Sequence, residues 1–598
     1  MMQKYKNILL VYPEVPQNTY WSFHYSLKFI NKKSAMPHLG LATDAAFFSK
    51  SYSLKLIDMN IQPLAEEDLQ WADAVFISAM IVQKQSFHGV VQRCNDLDIP
   101  VIAGGPYPTS SHSEIEGVTH FVLGEVEDTF FNFLEEFQNG TADRLLPAPT
   151  HPNISNSTTP RFDLLHLNAY GSMSVQYSRG CPFKCEFCDI WAVYGNKPRL
   201  KSPQTMLREF DTLYQNGWRG AVFIVDDNFI GNKNKVKNEL LPALIKWQEE
   251  HCYPFRFFTE ASINMAEDGD LLRKMKAAGF NEVFIGIETP SEDALRETGK
   301  AQNIRLDLSA AISTIQKHGI GVMAGFIVGF DTDTPDIADR QIEFIQKAGI
   351  PQAMIGLLEA LPGTELHKRL SAEGRLRDAA QGNNTHQMST NFQTKMGDEN
   401  LASTYKKILT TIYDRNLKNY FERCSQLLDN IGNAPFFQRK ITFHEFKSFL
   451  KSLCVQSFTP YGIQYFKFLI RNLLKNRPTF GEAVRFAVIG HHFHIITRES
   501  LKTEKIVSEL ELSYQHLRRQ LNRQSTLVLE NYREAIQNIS ELLQQKKEAF
   551  KEIRKRVDAL HVDFRADMMS RYNEIDQKIR DLFRAFELDL ERAKTKPV

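Results

Sequence analysis

Residues 178–188 read Ser-Arg-Gly-Cys-Pro-Phe-Lys-Cys-Glu-Phe-Cys, and these three cysteines constrain the chain more than any other feature it carries. Cys181, Cys185 and Cys188 stand at C-x3-C-x2-C spacing. If any two paired as a disulfide, the third would be left over. Three thiolates so close can hold three irons of a cubane 4Fe-4S cluster and leave the fourth iron open to chelate and reduce a substrate. A structural zinc site would want four ligands in two pairs, and no second C-x2-C is present. Cys94, Cys252, Cys424 and Cys454 are scattered singly. A disulfide framework needs an oxidising compartment, to which nothing in the sequence points. The iron–sulfur reading is the strongest, with Phe187 as an apolar wall beside the cluster.

The rest of the chain sets the context for such a site. Its 598 residues suffice for several domains, at about one per 150 residues. Lys and Arg (72) balance Asp and Glu (71), so no global field recruits nucleic acid. The apolar run Ile8–Tyr12 is short and ends in a Tyr-Pro turn, which suits a first strand and not a signal peptide. No stretch approaches the roughly 20 uninterrupted apolar residues of a membrane span. A cytoplasmic protein is expected, without nucleic-acid partner or transmembrane segment. The 42 phenylalanines fit large apolar cores or a greasy substrate pocket.

From residue 7 to about 145, apolar runs alternate with amphipathic ones. Strands are expected at Ile8–Tyr12, Leu54–Asp58, Ala74–Ser78, Val101–Gly105 and His120–Gly124. Helices are expected at Leu39–Ser49, at Phe87–Leu97 and from about Glu127. Short buried strands separated by helices suggest a parallel, doubly wound sheet. Such sheets bind ligands at the carboxyl ends of their strands. Ser78, Gly104, Gly105, Pro106, Tyr107, Thr109, Gly124 and Glu125 stand there as candidate binding residues, the glycines allowing close backbone approach. Residues 140–165, rich in Pro and Asn, read as a linker.

A second strand–helix series follows. Its strands are expected at Ser172–Tyr177, Ala221–Asn228, Phe255–Glu260, Glu282–Thr289, Gly321–Phe330 and Pro351–Glu359, with helices such as Leu271–Ala278 and Leu306–His318 between them. The pattern suits a partial (β/α)6 barrel, whose chemistry sits at the carboxyl ends of its strands. The cysteine loop and the polar residues Asp226, Asp227, Asn228, Glu260 and Glu288 all fall at such ends. Singly, each carboxylate also suits an ion pair or a helix cap; together, beside the cysteines, they read as a site.

The cysteine motif resembles that of the radical S-adenosylmethionine (SAM) enzymes. The domain before it resembles the cobalamin-binding domain that precedes many of their barrels; taken alone, it also suits a nucleotide-binding or purely structural Rossmann-like domain. Pro37–Gly40, Ile77–Ile81, Gly104–Ser110, Arg161–Leu165 and Val225–Phe229 are similar to the subgroup that includes the hopanoid C-2 methylase. The resemblance extends to about residue 500 and supports a methylase more than a hopanoid substrate. It implies a 4Fe-4S cluster on Cys181, Cys185 and Cys188, SAM on the open iron, and cobalamin. It places Asp226, Asp227 and Asn228 where family members support the SAM amino group, often with a Gly-Gly-Glu run that is absent here. Glu260 and Glu288 would take the ribose hydroxyls, and Gly325 and Gly329 would lie on the adenine-contacting strand. The cobalt-coordinating D-x-H-x-x-G signature is missing. His38, in Pro37-His-Leu-Gly40, reads as a helix-start residue, so cobalamin is expected without a protein histidine on cobalt.

The implied function is a cobalamin-dependent radical SAM C-methyltransferase acting on an unactivated carbon of a small-molecule or lipid substrate. A reductase or flavodoxin-type protein would donate the electrons. Relatives that close rings or oxidise keep open a cyclase or rearrangement outcome. A non-catalytic cluster and cobalamin sensor is a third reading.

Beyond the barrel, residues 371–500 turn helical and polar, with Thr390–Glu399 a loop and helices expected around Tyr405–Phe421, Phe443–Leu453 and Ile463–Leu474. The mixed apolar and basic run Tyr465–Lys475 suits a helix packed on the barrel, or a peripheral contact with a membrane. His491, His492 and His494 read as packed or exposed residues without a metal. From His491 to Lys596 there is no Gly or Pro, and apolar residues recur at 3–4 spacing. A long helix or helical hairpin is expected there, as a coiled coil serving self-association, a protein partner or packing back on its own core. The expected organisation is therefore α/β. A Rossmann-like cobalamin-binding domain (1–145) and a linker (146–165) precede a partial (β/α)6 radical SAM barrel (166–370). A helical substrate-shaping region (371–500) and the terminal helix (501–598) follow.

Overall fold

The first strands are nearly continuous apolar runs because both faces of their sheet are covered. The computed structural model describes residues 4–147, 151–377, 380, 382–383, 385, 388–432, 443–475, 477–527 and 532–594. Strands β1 (Asn7–Tyr12), β2 (Ser53–Asp58), β3 (Ala74–Ser78), β4 (Val101–Gly104), β5 (His120–Val122) and β6 (Leu145–Leu146) form one parallel sheet in the order β2-β1-β3-β4-β5-β6. Leu9, Val11, Val75, Ile77, Val101 and Ala103 pack with Phe87, Val90 and Val91 of the helix Lys84–Asn95. Strand order reverses at β1 and β3, and the crevice beyond that switch point is where such sheets take ligands. The expected linker is irregular but not loose: β6 extends the sheet, and Ile154 and Phe162 are buried.

The second sheet runs β14-β13-β12-β11-β10-β7, with every strand parallel to its neighbour. Its strands are β7 (Ser172–Val175), β10 (Ala221–Ile224), β11 (Arg256–Glu260), β12 (Phe280–Glu288), β13 (Gly321–Val328) and β14 (Ala353–Leu357). Each lies beside its predecessor in the sheet, as sequential strands usually do. The short antiparallel pair β8 (Ser178–Arg179) and β9 (Arg199–Leu200) brackets the cysteines. Between β1 and the helix Leu39–Asp44, residues 13–38 run across to β7. There Ser172 Oγ donates to the Ala35 carbonyl (2.9 Å) and Ser174 Oγ to that of Pro37 (3.1 Å).

The helix expected over Tyr405–Phe421 is two helices, Asp398–Ile412 and Lys418–Ile431. Leu417 takes a left-handed conformation (φ +49°), and Asp414 accepts from the backbone N–H groups of Lys418 (3.2 Å) and Asn419 (3.0 Å), starting the second helix afresh. The helices Phe443–Gln456 and Gly462–Lys475 follow.

The chain divides into two compact units, Met1–His494 and Ile495–Val598. The boundary expected at residue 500 falls inside a continuous helix, Phe480–Leu527. The second unit also holds the helices Tyr532–Asp558 and Val562–Lys594, which pack on each other. The rings of Phe550 and Tyr572 lie 5.4 Å apart, and Lys546 pairs with Asp576 at 2.8 Å. The turn between them needs neither Gly nor Pro, because Glu499 accepts from the His561 N–H (2.9 Å) and Leu560 is buried. Among the described residues, no helix is long and apolar enough to cross a membrane.

Candidate functional site

The cysteine loop hangs from the carboxyl ends of two adjacent strands. Asp226, just beyond β10, accepts from the Tyr177 N–H (2.7 Å) and the Ser178 hydroxyl (2.6 Å), and so ties the loop's entry to its neighbour strand. Gly180 follows with φ +89°; a Cβ there would lie 2.7 Å from the Gly195 carbonyl, so glycine is required. On the far side, the Glu186 N–H donates to the Thr298 carbonyl (2.9 Å), and the Glu186 carboxylate pairs with Arg369 (2.6 Å). Phe187 packs against Phe330, 6.1 Å between ring centroids, within a cluster that includes Leu358 and Leu366.

All three cysteines are free thiols. The Asn228 amide stands 4.0 Å from Cys181 Sγ, and the Gln302 amide 4.0 Å from Cys185 Sγ. Burial pushes all three thiols up; for Cys185 the cation of Lys300 opposes this. Two amide donors and a nearby cation are what thiolates holding a cluster require. Among the described residues, no three His, Cys, Asp or Glu side chains gather as a single metal ion would need.

The strand-end carboxylates divide into two kinds. Asp226 is fully engaged by the loop, and Glu288 is paired with Lys300. Burial would lower the Lys300 ammonium, but Glu288 and the thiols outweigh it and raise it. Asp227 and Glu260 face mainly like charge. Burial, then Asp226 and Asp189, push Asp227 up to about 7. Burial, then Asp227 and Glu288, push Glu260 up to about 8. These two are the acceptors left for a cationic or hydroxyl-bearing ligand. Asn228 Oδ1 accepts from Ser262. A Cβ at Gly325 would lie 2.9 Å from Phe284 Cζ, and Gly329 has φ +113° with its N–H donated to Asp333 (2.8 Å).

A cavity of 460 Å³ lies at the carboxyl end of the first sheet, a volume within the roughly 300–1,000 Å³ of small-molecule sites. Tyr12, Ser78, Gly104, Gly105, Pro106 and Gly124 line it from that sheet, and Gln176, Arg179 and Val225 from the cysteine-bearing sheet. Gly105 has φ +89°, and a Cβ there would meet Ser78 Oγ at 2.5 Å and the Ala79 backbone at 3.1 Å, so glycine is required at this strand end. Glu125 also lines the cavity but is committed to Arg199 (2.6 Å) and Arg179 (2.8 Å). Tyr107 and Thr109 do not line it. Tyr107 is buried with its hydroxyl 3.0 Å from His88 Nε2, and Thr109 Oγ1 accepts from the Gly124 N–H. His38 caps the helix Leu39–Asp44 through Nδ1 (3.2 Å to the Leu41 N–H), stacks on Tyr12 at 4.4 Å, and is lowered to about 4 by burial.

Several residues at the site escaped the sequence reading. Trp21 lines the cavity and reaches Phe284 (5.2 Å) and Phe223 (6.2 Å) of the second sheet. The aromatic run Tyr20–Tyr25 was its only signal. Asp44 also lines the cavity, pushed up to about 7 by burial and Glu127 against the pull of Arg179. Asp189, Lys300 and Gln302 carry no motif. His491, His492 and His494 are packed: His491 Nδ1 lies 2.6 Å from the Tyr461 hydroxyl, His492 Nε2 lies 3.2 Å from the Thr19 carbonyl, and His494 is buried against Tyr461.

Comparison with known proteins identifies this arrangement. The radical SAM superfamily profile matches residues 175–345, and a domain of unknown function (DUF4070) matches residues 364–505. An uncharacterized methyltransferase of Synechocystis sp. is 43% identical over 429 residues, 71% of this chain and 79% of that protein. The hopanoid C-2 methylase of Rhodopseudomonas palustris is 31% identical over 507 residues, 83% of this chain and 95% of that protein. Among solved structures, the methyltransferase TsrM of Kitasatospora setae, with cobalamin and a 4Fe-4S cluster bound, aligns with TM-score 0.52 and 14% identity, over 82% of this chain and 99% of that one. The radical enzyme OxsB with aqua-cobalamin aligns with TM-score 0.53 and 15% identity, over 84% and 80%. These two share the fold. The chain thus belongs to the radical SAM methyltransferase family that contains the hopanoid C-2 methylase, and it is an enzyme of that type.

Proposed function

We propose that this enzyme is a cobalamin-dependent C-methyltransferase acting on an unactivated carbon of a small-molecule or lipid substrate. One observation carries the reading: a single cavity is lined both by the strand ends of the first sheet and by Gln176, Arg179 and Val225 around the cysteine loop. Cofactors held on the two sheets would then meet in one space. The methylases among its relatives and the cobalamin in two structures of the same fold support this.

Cys181, Cys185 and Cys188 would hold the cluster, with Asn228, Gln302 and Lys300 stabilising the thiolates. Asp227 is the better placed acceptor for the SAM ammonium, since Asp226 is used by the loop. Glu260 would receive ribose hydroxyls, and the backbone around Gly325 and Gly329 would edge the adenine. Ser78, Gly104, Gly105 and Gly124 would cradle cobalamin; His38 also lines the cavity, but its Nδ1 is spent capping its helix, and the cobalt is read as carrying no protein histidine. When bound, these groups supply the electron, the hydrogen-abstracting radical and the methyl group. The protein orients them and excludes water, and Trp21, backed by Phe223 and Phe284, gives the cavity an apolar flank suited to a greasy substrate. A reductase or flavodoxin-type donor would deliver the electrons.

The test is anaerobic reconstitution with iron, sulfide and hydroxocobalamin, followed by SAM labelled on its methyl group and a reductant. Labelled methylcobalamin and S-adenosylhomocysteine are expected, with 5′-deoxyadenosine that disappears in Cys185→Ala. Deoxyadenosine without labelled methylcobalamin would overturn methyl transfer.

A further inference from the structure

The helix Gly462–Lys475 is bound on one side and bare on the other. Tyr465, Phe468 and Leu469 are buried, with Phe468 stacked on Phe421 at 4.9 Å. On the opposite side Ile463, Phe466, Ile470 and Leu474 are 72, 41, 55 and 73% exposed. Phe458, in the preceding connection, is 90% exposed. The neighbouring helix Phe443–Gln456 repeats the pattern: Phe443, Phe446 and Leu450 are 84, 50 and 45% exposed, while Ser452 and Gln456 are buried. Scattered exposed apolar residues need no explanation, but a run of large ones at helical spacing marks an interaction surface.

Charge indicates what covers it. Gly462–Lys475 carries Lys467, Arg471 and Lys475 and no acidic residue; Phe443–Gln456 carries Lys447 and Lys451 against Glu445. Lys467 and Lys447 are exposed. Arg471 and Lys475 reach back to Asp429 (2.5 and 3.0 Å), and Lys451 donates to the Lys28 carbonyl (2.5 Å). An apolar stripe edged by cations is the pattern of a helix lying in the interface of an anionic bilayer, with lysine stems along the apolar surface and ammonium groups at the headgroups. A second copy of the chain would set these cations against identical ones.

We propose that the outer faces of Phe443–Gln456 and Gly462–Lys475 dock this enzyme on an anionic lipid surface. Docking does not depend on the reaction proposed above and is read without cofactors. One contact links this region to the segment that lines the cavity. Lys451 holds Lys28, in the segment whose Trp21 and Ser22 line the cavity.

The experiment is flotation of the full chain with phosphatidylcholine vesicles, with and without phosphatidylglycerol. The wild type is expected to float with the anionic vesicles, to float less with the neutral ones, and to be released by salt. The exposed-site variant Phe458→Ser/Ile463→Ser/Leu474→Ser is expected to lose vesicle partitioning by roughly tenfold or more, with an unchanged circular dichroism spectrum. Failure of the wild type to float would overturn the proposal. So would a folded triple variant that floats equally well, or concentration-dependent self-association abolished by the same substitutions without vesicle binding.

Discussion

Asp226 closes the end of β10 onto the entry of the cysteine loop, and its side chain serves both a backbone amide and a hydroxyl. Asp226→Ala would strand both donors in a buried setting, at about 1–3 kcal/mol each. Urea unfolding of the metal-free protein should show a loss of about 2–4 kcal/mol, and the variant should retain less iron on reconstitution. Glu260 makes the opposite kind of prediction. Its carboxyl is pushed from an ordinary 4.5 up to about 8, by burial first and then by Asp227 and Glu288. A raised acid stabilises the fold fully below the ordinary value, and that contribution is lost as pH rises through the folded one. The cofactor-free enzyme should therefore lose stability between those two values, and Glu260→Gln should flatten that part of the profile. An unchanged slope in the variant would show that Glu260 is not the group responsible. That Asp226 and Asp227 would divide these roles was not legible in Asp226-Asp-Asn, because adjacent strand-end residues point to different sides and only the packed neighbours tell which side is the site.

Among the elements, the strands were the most legible and the helix breaks the least. A strand covered on both faces must be apolar throughout, so β1, β3, β10 and β12 announce themselves in the sequence. The break between Asp398–Ile412 and Lys418–Ile431 has no such mark. It turns on a left-handed Leu417, a conformation that leucine rarely takes, held because Leu417 is fully buried. Asp414 supplies the cap. Asp414→Ala should cost about 1 kcal/mol, measured by denaturation against the wild type, without changing cofactor content. A larger effect on iron or cobalamin retention would mean that the helical region shapes the site more directly.

For the molecule as a whole, Glu125 joins the first sheet to the short antiparallel pair β8–β9 that brackets the cysteines. It lies just beyond β5 and takes Arg199 on both oxygens and Arg179 on one. Burial alone would raise its carboxyl, but the hydrogen bonds and charges of the two arginines hold it below the ordinary range. A lowered acid contributes stability above its ordinary value and loses it as pH falls through the folded one. Glu125→Ala leaves the largely buried Arg199 guanidinium without its carboxylate, while Arg179 keeps Glu127 (2.7 Å), at about 2–3 kcal/mol after allowing for partial exposure. The variant should unfold earlier at neutral pH, and its difference from the wild type should shrink as pH falls below the ordinary carboxylate range and through the lowered folded value. Equal stability at neutral pH would show that the sheets are joined by other contacts.

The sequence by itself determined the chemistry-bearing loop and the two strand–helix series, because thiol spacing and continuous apolar runs are local properties. It also determined the lack of Gly and Pro that makes the C-terminal stretch helical, though not its turn at Ala559–His561, which rests on a contact from Glu499. Only the tertiary structure decided which strand-end acids are consumed and which stay open. It also decided that Trp21 and Asp44 reach the cavity, and that the apolar side of Gly462–Lys475 is bare. Each of these depends on residues far apart in the chain meeting or failing to meet, and burial, charge pairing and exposure exist only once they do.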